Sequence, residues 1–542
     1  MKQMTTGQYL TQLLSRYGVD CVFGIPGVHT LELYRSLTRS KITHITPRHE
    51  QGAGFMADGY ARVCKKPGVV FSISGPGISN LLTAMGQAYG DSIPMLVIST
   101  VNAHGRMGSG DGWLHELPDQ QALVRGVCAF SHTVHDTREL PQVVARAFAV
   151  FDSMRPRPVH IELPVNVLCG TASMALPERV PRLHPPAITT DSARSAARSL
   201  STAQQPVILA GGGSIGASNA LTKLAEKLAA PVIMTVNARG TLPANHPLAI
   251  QASPSLGDIR QLINQADVVF AVGTELGSTD YDFYEDGQFD ITGLLIRLDI
   301  DPEQIMRNQL PDIGLVGDAA ASIEKLLLEL APLNRSPVPE TQVTRVSDCN
   351  ERIMRSVNQR DRQYLQLLNN IRRTLPGAVI VGDSTQIIYA GNTAFSADKP
   401  RHYFNSATGF GTLGYALPAS IGAALANRNT PVVAIAGDGG LQFSLSEFAT
   451  ATDADITLTL IVHANGGYGE IKTSMIAEGI EPVGVDLMVP DFLAIATAYR
   501  WRSIQLLSLD ELPALLLRIQ DEKQSTMVII PDELFTDTSM PS

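Results

Sequence analysis

Two turns in the last quarter of the chain carry side chains suited to binding a metal ion. Asp438 lies within Gly437-Asp438-Gly439-Gly440, directly after an apolar run, and Asn465 follows the next apolar run. A carboxylate, an amide oxygen and a carbonyl exposed by a glycine turn are hard ligands of the kind that Mg²⁺ prefers. These residues predict a Mg²⁺ site that also serves phosphate oxygens, with an ordinary turn and a helix cap as the alternative.

The same turns can also approach a phosphate group closely. Gly439 and Gly440 carry no side chain that would block their backbone N–H groups, and we expect them to begin a helix whose dipole favours anions. The apolar runs before the two turns are predicted to be parallel strands. Because such strands bind ligands beyond their carboxyl ends, Asp438 and Asn465 are expected to lie at one edge of a sheet.

Short β-branched runs bounded by glycine recur between helical stretches along the chain. This alternation predicts an α/β protein with three doubly wound parallel-sheet domains. Two proline-rich stretches, residues 176–186 and 331–340, indicate linkers, so the predicted domains are 1–175, 188–332 and 342–542. In the first and third domains a strand runs into SGPG or GDGG, which a duplicated domain would explain.

Composition excludes several classes of function. The 542 residues carry 42 Lys and Arg against 52 Asp and Glu, so the net charge of -10 provides no general attraction for nucleic acid. No run approaches the ~18 apolar residues of a membrane helix, and the amino terminus lacks the apolar core of a signal peptide. The five cysteines form no C-x-x-C pair, which favours reduced thiols. We therefore expect a soluble cytoplasmic protein with neither nucleic-acid nor membrane partners.

A glycine pattern in the middle of the chain permits a different interpretation. Residues 211–216, GGGSIG, satisfy G-x-G-x-x-G directly after the predicted strand PVILA. The next strand ends in Asn237 and not in the acidic residue that would bind a ribose hydroxyl. A structural turn is thus favoured, and a dinucleotide site on an FAD- or NAD-dependent oxidoreductase stays open as an alternative.

Longer motifs indicate a family. The segment GDGGLQFSLSEFATA, followed by HANGGYGEI, resembles the diphosphate-binding motif of thiamine-diphosphate enzymes. Residues 48–62, RHEQGAGFMADGYAR, resemble the pyrimidine-binding block of the same family. With SGPGISN, the resemblance spans nearly the whole chain in the order pyrimidine-binding, central and diphosphate-binding domain.

The resemblance implies roles for individual residues. Glu50 would bond a pyrimidine nitrogen of the cofactor and thereby promote loss of the thiazolium C2 proton. Leu413 would be the apolar wedge beneath the bent cofactor, and either Gly409 or Gly411 would contact the pyrimidine. The implied cofactor contacts are Glu50, Gly409, Gly411, Leu413, Gly437, Asp438, Gly439, Gly440, Asn465, Gly467 and Tyr468, with Mg²⁺ on Asp438, Asn465 and Gly467.

The resemblance also implies an assembly and carries one departure. Domains of different subunits bind the two halves of the cofactor in this family, so a homodimer or homotetramer is expected. Ala464 stands where the family usually has the first of two asparagines. The second asparagine, which is the metal ligand, is retained as Asn465.

The reaction is expected to be decarboxylation of a 2-oxo acid. Acetolactate synthases carry an arginine in a stretch of the central domain where residues 273–282 here have none. The blocks FGIPGVHTLELYR, LHELPDQ, GTELGSTDYD and EPVGVD resemble 5-guanidino-2-oxopentanoate (2-ketoarginine) decarboxylases. Acetolactate-type carboligation stays the nearest alternative, and a non-catalytic member of the fold is less favoured because Glu50 and Asp438 are both present.

A guanidinium substrate calls for carboxylates in a forked geometry. The candidates are Glu116, Asp280 and Asp282, with Asp119, Glu285 and Asp286 behind them. His115 lies where relatives place a polar residue above the thiazolium, so its imidazole is the expected proton donor to the product.

Overall fold

The computed structural model describes residues 4–283, 285–332 and 338–535. Within those residues the chain forms three six-stranded parallel sheets and one two-stranded antiparallel sheet. Helices flank each large sheet, and the inner strands are buried, as expected for parallel sheets covered on both faces, whereas the edge strands β3, β6, β14 and β19 are partly exposed. The predicted fold class is therefore confirmed.

The first sheet lies within the amino-terminal third of the chain. Its region contains β1 (Met4–Thr5), α1 (Thr6–Arg16), β2 (Cys21–Gly24), α2 (Leu31–Tyr34), β3 (Thr43–Ile45), α3 (Glu50–Cys64), β4 (Gly68–Ser72), α4 (Pro76–Gly90), β5 (Met95–Val101), α5 (Gln120–Arg125), β6 (Phe130–Thr133), α6 (Leu140–Ser153), β7 (Val159–Pro164), α7 (Val165–Leu168) and β8 (Thr171–Ala172). The strand order is β3-β2-β4-β5-β7-β6.

The central sheet has a different order. Its region contains α8 (Thr190–Thr202), β9 (Pro206–Ala210), α9 (Ser218–Leu228), β10 (Val232–Met234), β11 (Ala249–Ile250), α10 (Gly257–Asn264), β12 (Val268–Val272), α11 (Ser278–Tyr281), β13 (Leu294–Asp299), α12 (Pro302–Ile305), β14 (Ile313–Val316) and α13 (Ala319–Glu329). The order β11-β10-β9-β12-β13-β14 is that of many dinucleotide-binding sheets.

The third sheet repeats the order of the first. Its region contains α14 (Glu340–Ser356), α15 (Gln359–Thr374), β15 (Val379–Gly382), α16 (Gln386–Ala394), β16 (Tyr403–Asn405), α17 (Ala416–Ala426), β17 (Val432–Gly437), α18 (Asp438–Leu441), α19 (Glu447–Asp453), β18 (Thr459–Ala464), α20 (Gly469–Ala477), α21 (Phe492–Ala498), β19 (Arg502–Gln505), α22 (Leu512–Glu522) and β20 (Thr526–Pro531). The order β16-β15-β17-β18-β20-β19 matches the first sheet strand for strand, which supports duplication.

The glycine turn after β9 has a structural explanation. Gly213 N donates to the carbonyl of Gly273, which follows the neighbouring strand β12. A Cβ on Gly211 would lie 2.2 Å from that same carbonyl oxygen, so the two turns can cross only without a side chain there. Asn237 is also occupied, because its side chain bonds Arg62 and Asp91 of the first domain.

Helices α3 and α17 join the first and third domains at very short range. A Cβ on Gly59 would lie 2.0 Å from the carbonyl oxygen of Ala419, and a Cβ on Gly422 would lie 1.9 Å from that of Met56. The two helices therefore pack backbone against backbone. No helix of the described residues is long and apolar enough to cross a bilayer.

A buried histidine makes the stability of the first domain depend on pH. His160 is fully buried on β7, its two ring nitrogens lie 2.7 Å from the hydroxyls of Ser99 and Ser131, and burial lowers its pKa to about 3. Below pH 6.5 this histidine binds a proton in the unfolded chain but stays neutral in the folded one. The free energy of unfolding is therefore expected to decrease as the pH is lowered below 6.5, by about 1.4 kcal/mol per pH unit at most.

Urea unfolding measured between pH 7 and about pH 5 tests this dependence. We expect the midpoint of His160→Gln to fall less steeply than that of the wild type, because glutamine binds no proton. His184→Gln, in an exposed segment, is the control and should keep the wild-type slope. Equal slopes for all three proteins would contradict the assignment.

Candidate active site

The two metal-type turns lie side by side in the third sheet. Strands β17 and β18 pair in parallel with Gly437 opposite His463, so Asp438 and Asn465 follow adjacent strand ends. Asp438 is fully buried, and its two carboxylate oxygens accept from Gly439 N at 2.8 Å and Gly466 N at 2.7 Å. Burial raises the pKa of Asp438, and these N–H groups oppose that shift.

Three oxygen atoms converge beside these turns. Asn465 Nδ2 donates to Gln386 Oε1 at 3.2 Å, which turns Asn465 Oδ1 toward Asp438 Oδ1 and the carbonyl of Gly467, 3.1 Å from each. An octahedral Mg²⁺ with bonds of 2.0–2.1 Å holds adjacent ligands about 2.9 Å apart. In this orientation of the amide, three acceptors face one point and their spacing fits this cation; with the amide turned over, Asn465 Nδ2 would instead donate to Asp438 Oδ1 and to the carbonyl of Gly467.

The glycines of the first turn leave room for an anion, although the predicted helix is shorter than expected. The α-helix that follows Gly437 comprises only Asp438–Leu441, so individual N–H groups and not a helix dipole are available there. A Cβ on Gly439 would lie 3.0 Å from the ring of Tyr468, whereas Gly440 has only Asp383 and Leu413 nearby, at 3.5 Å or more. Gly440 is buried, and its surroundings are less crowded than those of Gly439.

The segment from Gly409 to Leu413 is held from two sides. Gly409 and Gly411 line a cleft of about 1250 Å³ to which all three domains contribute, and Gly411 has a left-handed φ of 73°. Leu413 is half-buried against Gly440. The hydroxyl of Thr412 donates to Gln87 Oε1 at 2.9 Å, so a residue of the first domain anchors this segment of the third.

A second anchor comes from a buried carboxylate. Asp383 follows β15, and its oxygens accept from Gly414 N at 3.2 Å and Ala416 N at 3.3 Å. Burial raises the pKa of Asp383 to about 6. Neither Asp383 nor Gln87 was predicted from the sequence. Asp383 could have been found as a polar residue ending a buried strand, whereas Gln87 lies inside α4 and gives no such signal.

The carboxyl edge of the first sheet carries the other predicted groups. Glu50 is the first residue of α3, and its Oε2 accepts from Asn80 Nδ2 at 2.9 Å. The first turn of α4 lies next to it, since a Cβ on Gly77 would lie 3.5 Å from Glu50 Oε1. The backbone of His115 reaches the same loop and contacts Gly75.

His115 is held in a strained conformation. Its φ of 59° is left-handed, and its Nδ1 is buried without a hydrogen-bond partner in the described part of the chain. A Cβ on Gly75 would lie 2.7 Å from the carbonyl oxygen of His115, so glycine is required there. Gly75 N in turn donates to the buried Gln120, which fixes the loop.

The three predicted substrate carboxylates lie in different places. Glu116 accepts from the backbone N–H groups of Gly110, Gly112 and Trp113, and the first of these is the main cause of its lowered pKa. Its oxygens thus organise a loop and are not free to form a fork for a guanidinium.

The two central candidates also have other partners. Asp282 forms an ion pair with Arg260 at 2.9 Å, and Asp286 pairs with the same guanidinium group. Asp280 lines the large cleft, is bonded to Val236 N at 3.4 Å, and burial raises its pKa to about 6. Asp119 caps α5 by accepting from Ala122 N. Of this set, only Asp280 faces the cleft without an ion-pair partner in the described residues.

The two groups of predicted residues are not joined within the chain. In the described residues no hydrogen bond or ion pair connects Glu50 or His115 with Asp438 or Asn465. The first pair of residues lies at the edge of the first sheet and the second pair at the edge of the third. The predicted residues therefore form two groups, one at each sheet edge, that no such bond links in the described part of the chain.

The anchoring of the Gly409–Leu413 segment is testable through Gln87→Met, which keeps the side-chain size and removes the bonds of Gln87 to Thr412, Thr408 and Asp91. Because buried polar groups of Thr412 then lack a partner, the free energy that keeps this segment closed is expected to fall by about 1–3 kcal/mol. Amide exchange in the segment should then be roughly 5- to 150-fold faster. Hydrogen–deuterium exchange of peptides covering 408–416 measures it. Gln142→Met, at an exposed position of α6, is the control. Unchanged exchange in Gln87→Met would show that Gln87 does not anchor the segment.

Comparisons with known proteins agree with this arrangement. Family models match three parts of the chain: the N-terminal thiamine pyrophosphate binding domain of thiamine pyrophosphate enzymes at 4–123, the central domain at 193–326 and the C-terminal thiamine pyrophosphate binding domain at 383–530. Thiamine pyrophosphate is another name for thiamine diphosphate.

Individual relatives cover nearly the whole chain. A Pseudomonas aeruginosa protein named "Probable 2-ketoarginine decarboxylase AruI" is 44% identical over 94% of this chain and 91% of its own. Acetolactate synthase isozyme 1 large subunit of Escherichia coli is 31% identical over 86% and 83%. A Methanocaldococcus jannaschii protein named as an acetolactate synthase large subunit is 31% identical over 94% and 88%. The chain belongs to the thiamine pyrophosphate enzyme family and depends on that cofactor.

Proposed function

We propose that the protein is a Mg²⁺-dependent decarboxylase that acts on 5-guanidino-2-oxopentanoate. The proximity of Asp438, Asn465 and the carbonyl of Gly467 supports the metal site, because with Asn465 Oδ1 turned toward the other two oxygens three acceptors face one point. The 44% identity to a protein named for 2-ketoarginine, against 31% to acetolactate synthases, supports the substrate. The absence of arginine from residues 273–282 is consistent with this choice.

Residues of the third domain would hold the cofactor by its diphosphate. Asp438, Asn465 and Gly467 would bind Mg²⁺, and N–H groups near Gly440 would contact phosphate oxygens. Leu413 would support the ring system from below. When bound, thiamine diphosphate supplies the carbon nucleophile that attacks the substrate carbonyl and takes up the electron pair released with CO₂.

Residues of the first domain would handle protons. Glu50, oriented by Asn80, would bond the pyrimidine nitrogen and help to remove the C2 proton. His115, in its strained loop, would deliver the proton that replaces the carboxylate. The overall change is R–CO–COO⁻ plus H⁺ giving R–CHO plus CO₂, so one proton must reach the carbonyl carbon in each turnover.

We also propose that two copies complete each site. Glu50 and His115 of one chain would face Asp438 and Asn465 of another, since no bond joins these groups within the described chain. The free thiols of all five cysteines are typical of a reducing compartment, and a cytoplasmic location is proposed on that basis.

Product analysis tests the reaction. With thiamine diphosphate and Mg²⁺, we expect 5-guanidino-2-oxopentanoate to give CO₂ and guanidinobutanal, and pyruvate to give little product. Mass spectrometry and CO₂ release measure both. Omission of Mg²⁺ is the control and should abolish turnover. Acetolactate formed efficiently from pyruvate would instead assign the protein to the carboligases.

Glu50→Gln tests the proton role of Glu50. Because glutamine can hydrogen-bond but cannot exchange a proton at this point, C2 hydrogen exchange of bound thiamine diphosphate should slow by about 10²- to 10⁴-fold. Cofactor binding, followed by its circular dichroism signal, should change little. Glu351→Gln, on the exposed side of α14, should match the wild type. Wild-type exchange in Glu50→Gln would contradict the role.

A further inference from the structure

The large cleft contains a carboxylate that has no partner among the described residues. Glu470 lines the cleft and is exposed, and its side chain forms no hydrogen bond or ion pair in the described part of the chain. The other carboxylates that line the cleft all accept a hydrogen bond or form an ion pair; they are Asp91, Asp152, Glu275, Asp280, Asp299, Asp318 and Asp361. The oxygens of Glu470 are therefore available to a ligand.

Glu470 lies next to the turn that carries Asn465. It is the second residue of α20, and a Cβ on the preceding Gly469 would lie 2.5 Å from Asn465 Nδ2 and 3.5 Å from Gln386 Oε1. The start of the helix thus packs closely against the side chain proposed as a metal ligand. Burial, and after it the charge of Glu470, raises the pKa of Tyr389, so this carboxylate also lies near α16. Glu470 and the proposed cofactor site share one wall of the cleft.

The charge of Glu470 is not neutralised by its own helix. The basic residue of α20 is Lys472, whose Nζ pairs with Asp486 at 2.7 Å. The hydroxyls of Thr473 and Ser474 donate to backbone carbonyls of the helix and not to this carboxylate. A carboxylate with two free oxygens can accept both N–H groups of a guanidinium fork, and such charge-assisted bonds are stronger than neutral ones.

The surroundings of α20 indicate how this carboxylate could bind a ligand strongly. None of the helix residues is buried within one chain, and its apolar side chains Ile471 and Ile476 are 52% and 59% exposed. The second copy that would complete the proposed site would cover this helix, because α20 begins beside Asn465. An exposed ion pair contributes little, and removal from water strengthens it. We therefore expect Glu470 to act in the assembled site.

We propose that Glu470 binds the guanidinium group of the substrate and thereby selects a cationic 2-oxo acid. This inference rests on the proposed function, and it supplies the guanidinium partner that Glu116 and Asp282 do not provide. The 2-oxo acid end of the substrate would lie at the cofactor, and its methylene groups would carry the guanidinium along the cleft wall to Glu470. No bond of the substrate breaks or forms at this carboxylate, so Glu470 acts on substrate selection.

Glu470→Gln tests this role because it keeps the side-chain size and removes the charge. The kcat/KM for 5-guanidino-2-oxopentanoate should fall by about 10- to 150-fold, mainly through a higher KM, since one charge-assisted interaction is lost. The kcat/KM for 5-ureido-2-oxopentanoate, which has nearly the same shape and no charge, should change little. C2 hydrogen exchange of bound thiamine diphosphate should stay near the wild-type rate, because that step is assigned to Glu50.

Two further variants make the result specific. Glu478→Gln changes an exposed glutamate at the other end of α20, outside the cleft, and should keep the wild-type preference for the guanidino substrate. Asp280→Asn changes the cleft carboxylate of the central domain. If Asp280→Asn loses the preference while Glu470→Gln keeps it, the central domain binds the guanidinium and the proposal is wrong.

Calorimetric titration of the holoprotein with 4-guanidinobutanoate separates this proposal from the proposed function, because this probe has no oxo group and cannot react. The wild type should bind it about 10- to 150-fold more tightly than Glu470→Gln does, and both should bind 4-ureidobutanoate alike. Equal affinities for 4-guanidinobutanoate, or an unchanged substrate preference in folded Glu470→Gln, would overturn the role of Glu470. If the wild type releases no CO₂ from any 2-oxo acid, the proposed function fails, and the titration still decides whether Glu470 binds a guanidinium.

Discussion

One buried positive charge connects residues of all three domains. The side chain of Arg62 is completely inaccessible, and its guanidinium pairs with Asp58 and Asp91, each at 2.6 Å. A buried charge is tolerated only when it is paired and fully hydrogen-bonded, and removing one partner of such a pair typically costs about 3–5 kcal/mol. The remaining partners come from other domains. Asn237 of the central domain accepts from the guanidinium, and Tyr415 of the third domain donates to Asp58. The hydrogen bonds that complete the surroundings of Arg62 and Asp58 therefore form only when the three domains are packed together.

This charge lies at one end of helix α3, and the proposed catalytic Glu50 lies at the other. The third domain holds both ends: Tyr415 bonds Asp58 near the carboxyl end, and buried Glu447 accepts from the N–H groups of Arg48 and His49 just before the helix begins. Between them the helix packs backbone against backbone on α17. The position of Glu50 is thus set by its own third domain, even though its proposed cofactor contact lies with a second copy.

The sequence predicted the position of polar residues that directly follow a buried strand. Asp438 and Asn465 each follow a buried run, and parallel strands bring their carboxyl ends to one edge, so their proximity was predictable. The fold class followed from the same alternation of strands and helices. The partner of a side chain was not predictable in this way. Glu116 and Asp282 have the right charge for a guanidinium, but the loop N–H groups and Arg260 that occupy them are brought there only by the tertiary fold. Gln87 lies within α4, and a glutamine in a helix does not indicate a role. Its role is visible only in the tertiary fold, which places Thr412 of the third domain beside it.

The matching strand order of the first and third sheets explains why neither edge is sufficient alone. Strands at the same place in the two sheets are followed by different polar residues. Ser74 comes after β4 and His115 after β5, whereas Asp438 comes after β17 and Asn465 after β18. In the proposed function, the groups at one edge would hold and move protons, and the oxygens at the other would bind the metal. A decarboxylation that needs both a bound diphosphate and a delivered proton must bring the two edges together. Since no hydrogen bond or ion pair among the described residues joins the two edges, the proposed association of two copies would bring them together.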